Sequence, residues 1–154
     1  RLWHLIHEGE FHMSIVNTKR VWIGGLVGGA AWIVWAILLN FVLLMPRYMA
    51  AQEAQMMLKE PRYPFFIVVW LVQFLVFGVL IATLYAGVRG SWGAGPGTAV
   101  KVGLIVGFAA GFPVNFYTAA WVPFSRVIPL GWLLELTVGA VLASFVAGWL
   151  YREQ

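Results

Sequence analysis

Cysteine is absent from this chain. That excludes disulfides, thiolate metal sites and cysteine nucleophiles together, and it says nothing about redox compartment. Histidine is confined to one end: His4, His7 and His12 all precede Met13. Charge is scarce, at 10% of residues, against about 25% in a soluble domain. The ten Lys and Arg residues stand singly or in pairs near the ends of apolar runs. The net charge of +4 therefore forms no stripe that could track phosphates, and nucleic acid is excluded as a partner. Only one carboxylate, Glu135, lies inside an apolar run. Acid–base pairs, metal triads and axial haem ligation lack their usual residues beyond Met13. The expectation is a protein that is not an enzyme and carries no metal and no cofactor.

What is abundant points one way. The chain is 62% hydrophobic and 16% aromatic, with a mean hydropathy of +0.84. Several apolar stretches exceed the roughly 20 residues needed to cross a bilayer core of about 30 Å. The expectation is all-α: an integral membrane bundle of four transmembrane helices, up-down-up-down. The spans are placed at 21–45, 64–87, 98–121 and 128–150, within a single domain over 13–154.

Residues 1–12 stand apart. Glu8-Gly9-Glu10-Phe11-His12-Met13 back-translates as GAA GGA GAA TTT CAT ATG, a purine-rich ribosome-binding sequence ahead of a start codon. The same letters fit two restriction sites. Both readings make residues 1–12 a leader or cloning-derived segment, to be set aside before reasoning about the fold. The alternative is a short interfacial helix carried by Leu2, Trp3, Leu5 and Ile6.

The first span opens on two overlapping GxxxG pairs, Gly24 with Gly28 and Gly25 with Gly29, and the third carries Gly103, Gly107 and Gly111. Small residues at this spacing let helix backbones approach closely where no hydrophobic effect drives them together. Spans one and three are expected to meet through these faces. The contact is placed within one chain, between copies in a homo-oligomer, or against another membrane protein. Pro46 is expected to end span one. Residues 46–63 then form the longest connection, with a short amphipathic helix at the interface over AAQEAQMML. Residues 88–97 are dense in Gly and Pro and read as an irregular turn. Pro113 removes a backbone hydrogen bond and is the candidate hinge of span three. Trp22, Trp92, Trp121 and Trp149 fall where an interfacial aromatic belt belongs, and Trp32, Trp35, Trp70 and Trp132 read as packing.

A weak internal repeat runs through the chain. Val21-xx-Gly24-xx-Val27-Gly28-x-Ala30-Ala31 recurs as Val100-xx-Gly103-xx-Val106-Gly107-x-Ala109-Ala110. Trp70-Leu71-x-Gln73 recurs as Trp132-Leu133-x-Glu135. The pattern suggests a parallel repeat of two helical hairpins, with Gln73 and Glu135 at equivalent positions.

Lys and Arg bias sets orientation. Lys19, Arg20, Arg89, Lys101 and Arg152, with Arg1, lie on one side, and Arg47, Lys59, Arg62 and Arg126 on the other. The bias favours both termini in the cytoplasm. At about 1.5 Å of rise per residue, Asn40, Gln73, Asn115, Thr118 and Glu135 then fall between the midplane and the outer surface. An ionisable residue inside a span is a functional-site hypothesis by default. Two readings compete. In one, these groups hydrogen-bond across helices and only hold the bundle together. In the other, they form an outward-facing ligand or ion pocket, with Glu135 as its proton- or cation-sensitive group and Gln73, Asn40, Asn115, Tyr117 and Thr118 beside it.

Three further stretches carry a resemblance: Asn17-Thr18-x-Arg20-Val21-x-x-Gly24-Gly25-Leu26, Leu84-Tyr85-Ala86-x-x-Arg89, and Ala147-Gly148-Trp149-Leu150-Tyr151-Arg152-Glu153. Together, from Met13 to the end, they resemble small uncharacterised bacterial four-helix integral membrane proteins. The resemblance implies a bacterial inner-membrane protein and supplies no activity or substrate. The leading expectation is an accessory, assembly or structural membrane protein without chemistry. The alternative is a small transporter or channel-like protein.

Overall fold

The computed structural model describes residues 16–151. Residues 1–15, on which the expected leader, all three histidines and Met13 fall, lie outside the described residues, as do Arg152, Glu153 and Gln154. Every regular element among the described residues is helical: α1 (Thr18–Leu39), a π-helical turn (Asn40–Leu44), α2 (Met45–Glu53), α3 (Phe66–Trp92), α4 (Pro96–Trp121) and α5 (Val127–Leu150). Four helices are long and apolar enough to cross a membrane, the first being α1 continued through the π-turn and α2. This is the build of a multi-pass membrane protein.

Helix ends follow local chemistry. Asn17 caps α1, its side chain accepting from the Arg20 N–H at 3.2 Å, which satisfies one orphan donor of the first turn. The connection between α3 and α4 is shorter than the 88–97 expected from composition. Helix α3 runs on to Trp92, and only 93–95 turn. Gly93 and Gly95 take φ of 85° and 129° there, a region closed to most side chains. Thr98 Oγ1 ties the turn by donating to the Gly93 carbonyl at 2.6 Å, and the Tyr85 hydroxyl accepts from Gly95 N–H at 3.0 Å.

Pro46 does not end the first helix. The chain continues helical to Glu53 because the turn ahead of the proline is widened. Met45 N–H reaches back to the Asn40 carbonyl, five residues rather than four. Pro46, at the first turn of α2, therefore meets a helix already loosened where its ring would crowd the preceding turn. The separate interfacial helix expected over 50–58 is replaced by α2 and a non-helical segment, 54–65.

The glycine faces are used, but not as expected. Helices α1 and α4 share no contact, whereas α5 touches α1, α3 and α4. A Cβ on Gly25 would lie 2.5 Å from the Val79 Cα, and one on Gly29 2.8 Å from the Leu75 Cα, so this pair packs on α3. Gly24 and Gly28 instead face Ala147 and Ala143 of α5. Adjacent residues point about 100° apart on an α-helix, so two overlapping GxxxG pairs give α1 two smooth faces for two different neighbours. Gly103 and Gly107 press on Val141 and Thr137 of α5, and Gly111 on Leu133 and Leu136. In all three pairings residue numbers rise on one helix as they fall on the other, so the partners run antiparallel.

Both hairpins share one packing register. Val79 and Val141 stand at the same offset from Trp70 and Trp132, and each receives a glycine of the preceding span. The sequence repeat aligns Gly24 with Gly103, yet it is Gly25, one residue on, that occupies the equivalent place. The glycine ladders also give a stability prediction. Gly103→Ala brings a methyl within 3 Å of Val141 and Ala140 backbone atoms, which no rotamer change can relieve. We expect a loss of about 1–3 kcal/mol in denaturant titrations of micellar protein. Gly87→Ala, with nothing within 4 Å, serves as control and is expected to be neutral or slightly stabilising.

Candidate functional site

Where α1 gives way to α2, a polar cluster sits at the floor of a cavity of about 960 Å³. The π-turn begins at Asn40 and positions it. The Asn40 amide donates to its own helix, at the Ala36 carbonyl (2.8 Å), and also to the Glu135 carboxylate on α5. Its carbonyl oxygen accepts from the Tyr48 hydroxyl at 2.7 Å, and that hydroxyl accepts from the Trp132 indole N–H at 2.6 Å. The side chain of Trp70, on α3, lines the same cavity as Glu135. The side chain hydrogen-bonded to the carboxylate among the described residues, the Asn40 amide, is a neutral donor. The chain of bonds thus runs Trp132, Tyr48, Asn40, Glu135, and joins the π-turn, α2 and α5.

Glu135 is 4% exposed. Its backbone carbonyl also takes the Trp32 indole N–H at 3.1 Å. Trp32 is fully buried and packs against Phe74 and Phe77 with ring centroids 5.3 and 5.9 Å away. Gly139 faces the same indole, and a Cβ there would overlap the ring. The acid is therefore held by a rigid aromatic core beneath and a polar chain above.

Of the six residues singled out for a pocket, four line this cavity: Asn40, Gln73, Asn115 and Glu135. They come from four different spans. Gln73, half-buried on α3, forms no hydrogen bond with the described residues, so both ends of its amide are available to the cavity. Asn115 donates to the Gly111 carbonyl at 2.8 Å within α4, which leaves its side-chain oxygen without a partner among the described residues. Tyr117 does not join them. It is 65% exposed and lies against Trp121 on the outer face of α4. The Thr118 hydroxyl donates to the Val114 carbonyl at 2.8 Å and stays on its own helix. Pro113 lies within α4, exposed, and away from the cavity lining.

Three residues of the cluster have other roles when read from sequence alone. Tyr48 falls in a connecting loop there, and Trp70 and Trp132 among packing aromatics. A signal for the tryptophans is present: each stands three residues before a polar group in the repeat, Trp70 before Gln73 and Trp132 before Glu135. That spacing puts both members of a pair on one helix face, and both pairs face the same cavity. Tyr48 has no such signal, because its approach to Asn40 depends on the π-turn. The mouth of the cavity is bordered by segment 54–65, through Met57, Leu58, Lys59, Glu60 and Pro61, with Gln52 Nε2 donating to the Leu58 carbonyl at 3.1 Å.

The arrangement can bind but offers little for bond-making. It provides a large, mostly apolar and half-open cavity, one acid held by a neutral donor, and two amides with free hydrogen-bonding capacity. No family model matches the chain, and comparison with the curated proteins and with the solved structures finds no match either.

Proposed function

We propose that this protein binds a small, mostly apolar molecule inside the membrane, in the cavity floored by Glu135, Asn40, Gln73 and Asn115, and that it does so without catalysis. The observation that carries the reading is the convergence of four polar side chains from four spans on one cavity of about 960 Å³. Ligand sites are mostly apolar enclosures of roughly 300–1,000 Å³ with a few placed polar groups. The accessory or assembly role expected from the sequence rested on a packing surface and the lack of a catalytic set. The glycines of α1 and α4 are instead filled by α3 and α5 within the chain, so the pocket reading stands first and transport is its natural extension.

The sidedness of Lys and Arg supports an up-down-up-down insertion with both termini in the cytoplasm of a bacterial inner membrane. In that orientation the cavity opens toward the outer face. Because the chain has no cysteine, a single introduced thiol tests both points. Gln73→Cys is expected to react with a membrane-impermeant methanethiosulfonate added outside sealed spheroplasts. Val72→Cys, turned about 100° away from Gln73 on the same helix, outside the cavity lining and 48% exposed, is expected to stay unlabelled. If both thiols are equally inert from either side, no accessible cavity exists and the proposal fails.

A further inference from the structure

The cavity has a charge imbalance that its own side chains do not resolve. The Asn40 amide that donates to the Glu135 carboxylate is neutral, and so is the Trp70 indole that lines the same cavity. The groups facing it from the surrounding helices are Tyr48 on α2, Gln73 on α3 and Asn115 on α4, none of them a cation. Lys59 and Glu60 border the same cavity from segment 54–65, and their opposite charges offset each other. A carboxylate held inside a span by neutral donors alone is costly, and a cation entering the cavity would supply the missing counter-charge.

The walls select the kind of cation. Phe41, Tyr48, Phe66, Trp70, Phe77 and Trp132 all line the cavity. Aromatic faces attract cations through the ring quadrupole, most strongly when water is excluded, and cages of this composition hold quaternary ammonium groups. The volume is far too large for a bare metal ion. Among the described residues there is also no group of three His, Cys, Asp or Glu that could hold one. An ionised Glu135 would repel an anion, and a neutral molecule would leave the acid to be neutralised by a proton.

We propose that the occupant is a lipophilic organic cation, a quaternary ammonium or phosphonium centre on an apolar body, with Glu135 as counter-charge and the aromatic walls as its enclosure. Gln73 and Asn115, with hydrogen-bonding capacity to spare, read whatever polar substituent the body carries. This rests on the cavity being a binding site, as proposed above.

The test uses probes of nearly equal shape and different charge. Tetraphenylphosphonium, tetraphenylmethane and tetraphenylborate are titrated into the full chain in a non-ionic detergent, with quenching of tryptophan emission as the readout. The phosphonium is expected to bind most tightly and the borate least. In Glu135→Gln, which keeps the side chain's shape, the phosphonium should lose about tenfold or more in affinity. Tetraphenylmethane should bind that variant unchanged, which also reports that it is folded. If the phosphonium and tetraphenylmethane bind alike and Glu135→Gln affects neither, the cation assignment is overturned while the binding cavity survives. If none of the three binds the wild-type chain, both proposals fall.

Discussion

Trp32→Ala is expected to lower stability by about 3–5 kcal/mol, the range for truncating a large buried aromatic, measured by denaturant titration in mixed micelles. Trp32 is fully buried inside the bundle, against Phe74 and Phe77 and over Gly139. Lipid cannot reach the space its removal opens, so the cavity cost stays even though the surroundings are a membrane. Trp32→Phe separates the contributions. It keeps a ring but removes the indole donor to the Glu135 carbonyl, and a hydrogen bond of this kind is worth about 0.6 kcal/mol on average in membrane bundles. Gly139→Ala attacks the contact from the other side, because its methyl would overlap the indole, and should cost about 1–3 kcal/mol. The two sites touch, so their effects should not add. The double variant Trp32→Ala/Gly139→Ala is expected to be more stable than the sum of its parts, by a coupling of about 0.5–3 kcal/mol. Strict additivity would mean that the indole does not sit on Gly139.

The second large effect comes from deleting a residue whose side chain does almost nothing. Val42 is 78% exposed within the π-turn, and Val42→Leu should change stability by less than about 0.5 kcal/mol. Deleting Val42 returns the turn to ordinary α-helical spacing and rotates α1 by about 100° relative to α2. Leu44, fully buried over Gly131, and the bond between Tyr48 and Asn40 cannot both persist. Pro46 would also crowd an unwidened helix. The deletion should therefore cost at least what the loss of one buried leucine does, about 2–5 kcal/mol. It should also abolish probe binding at the cavity. Binding that survives the deletion would show that the wide turn does not build the site.

Both effects trace back to how the site is made. One extra residue in the first span brings Tyr48 back over Asn40 and so links α2 to the carboxylate on α5. Wide turns of this kind occur as isolated features inside helices and concentrate at functional sites. Here the wide turn replaces the stop that Pro46 would otherwise impose.

The sequence by itself determined the solvent, the number of long apolar helices and most of the polar floor. Composition and run length are sufficient for the first two, because a bilayer demands apolar stretches of fixed length. Asn40, Gln73, Asn115 and Glu135 were legible because a polar side chain inside such a stretch stands out against its neighbours. Helix neighbours were decided only in three dimensions. Lipid-facing and buried faces are both apolar in a membrane helix, so hydrophobic periodicity, which orients helices in water, carries little here. Glycine spacing marks a smooth face without naming what covers it, so Gly24 and Gly28 went to α5 and Gly25 and Gly29 to α3. The roles of Tyr48, Trp70 and Trp132 were likewise set by packing. A tryptophan that lines a cavity and one that fills a core read identically along the chain, and a π-turn depends on how the whole helix is held against its neighbours.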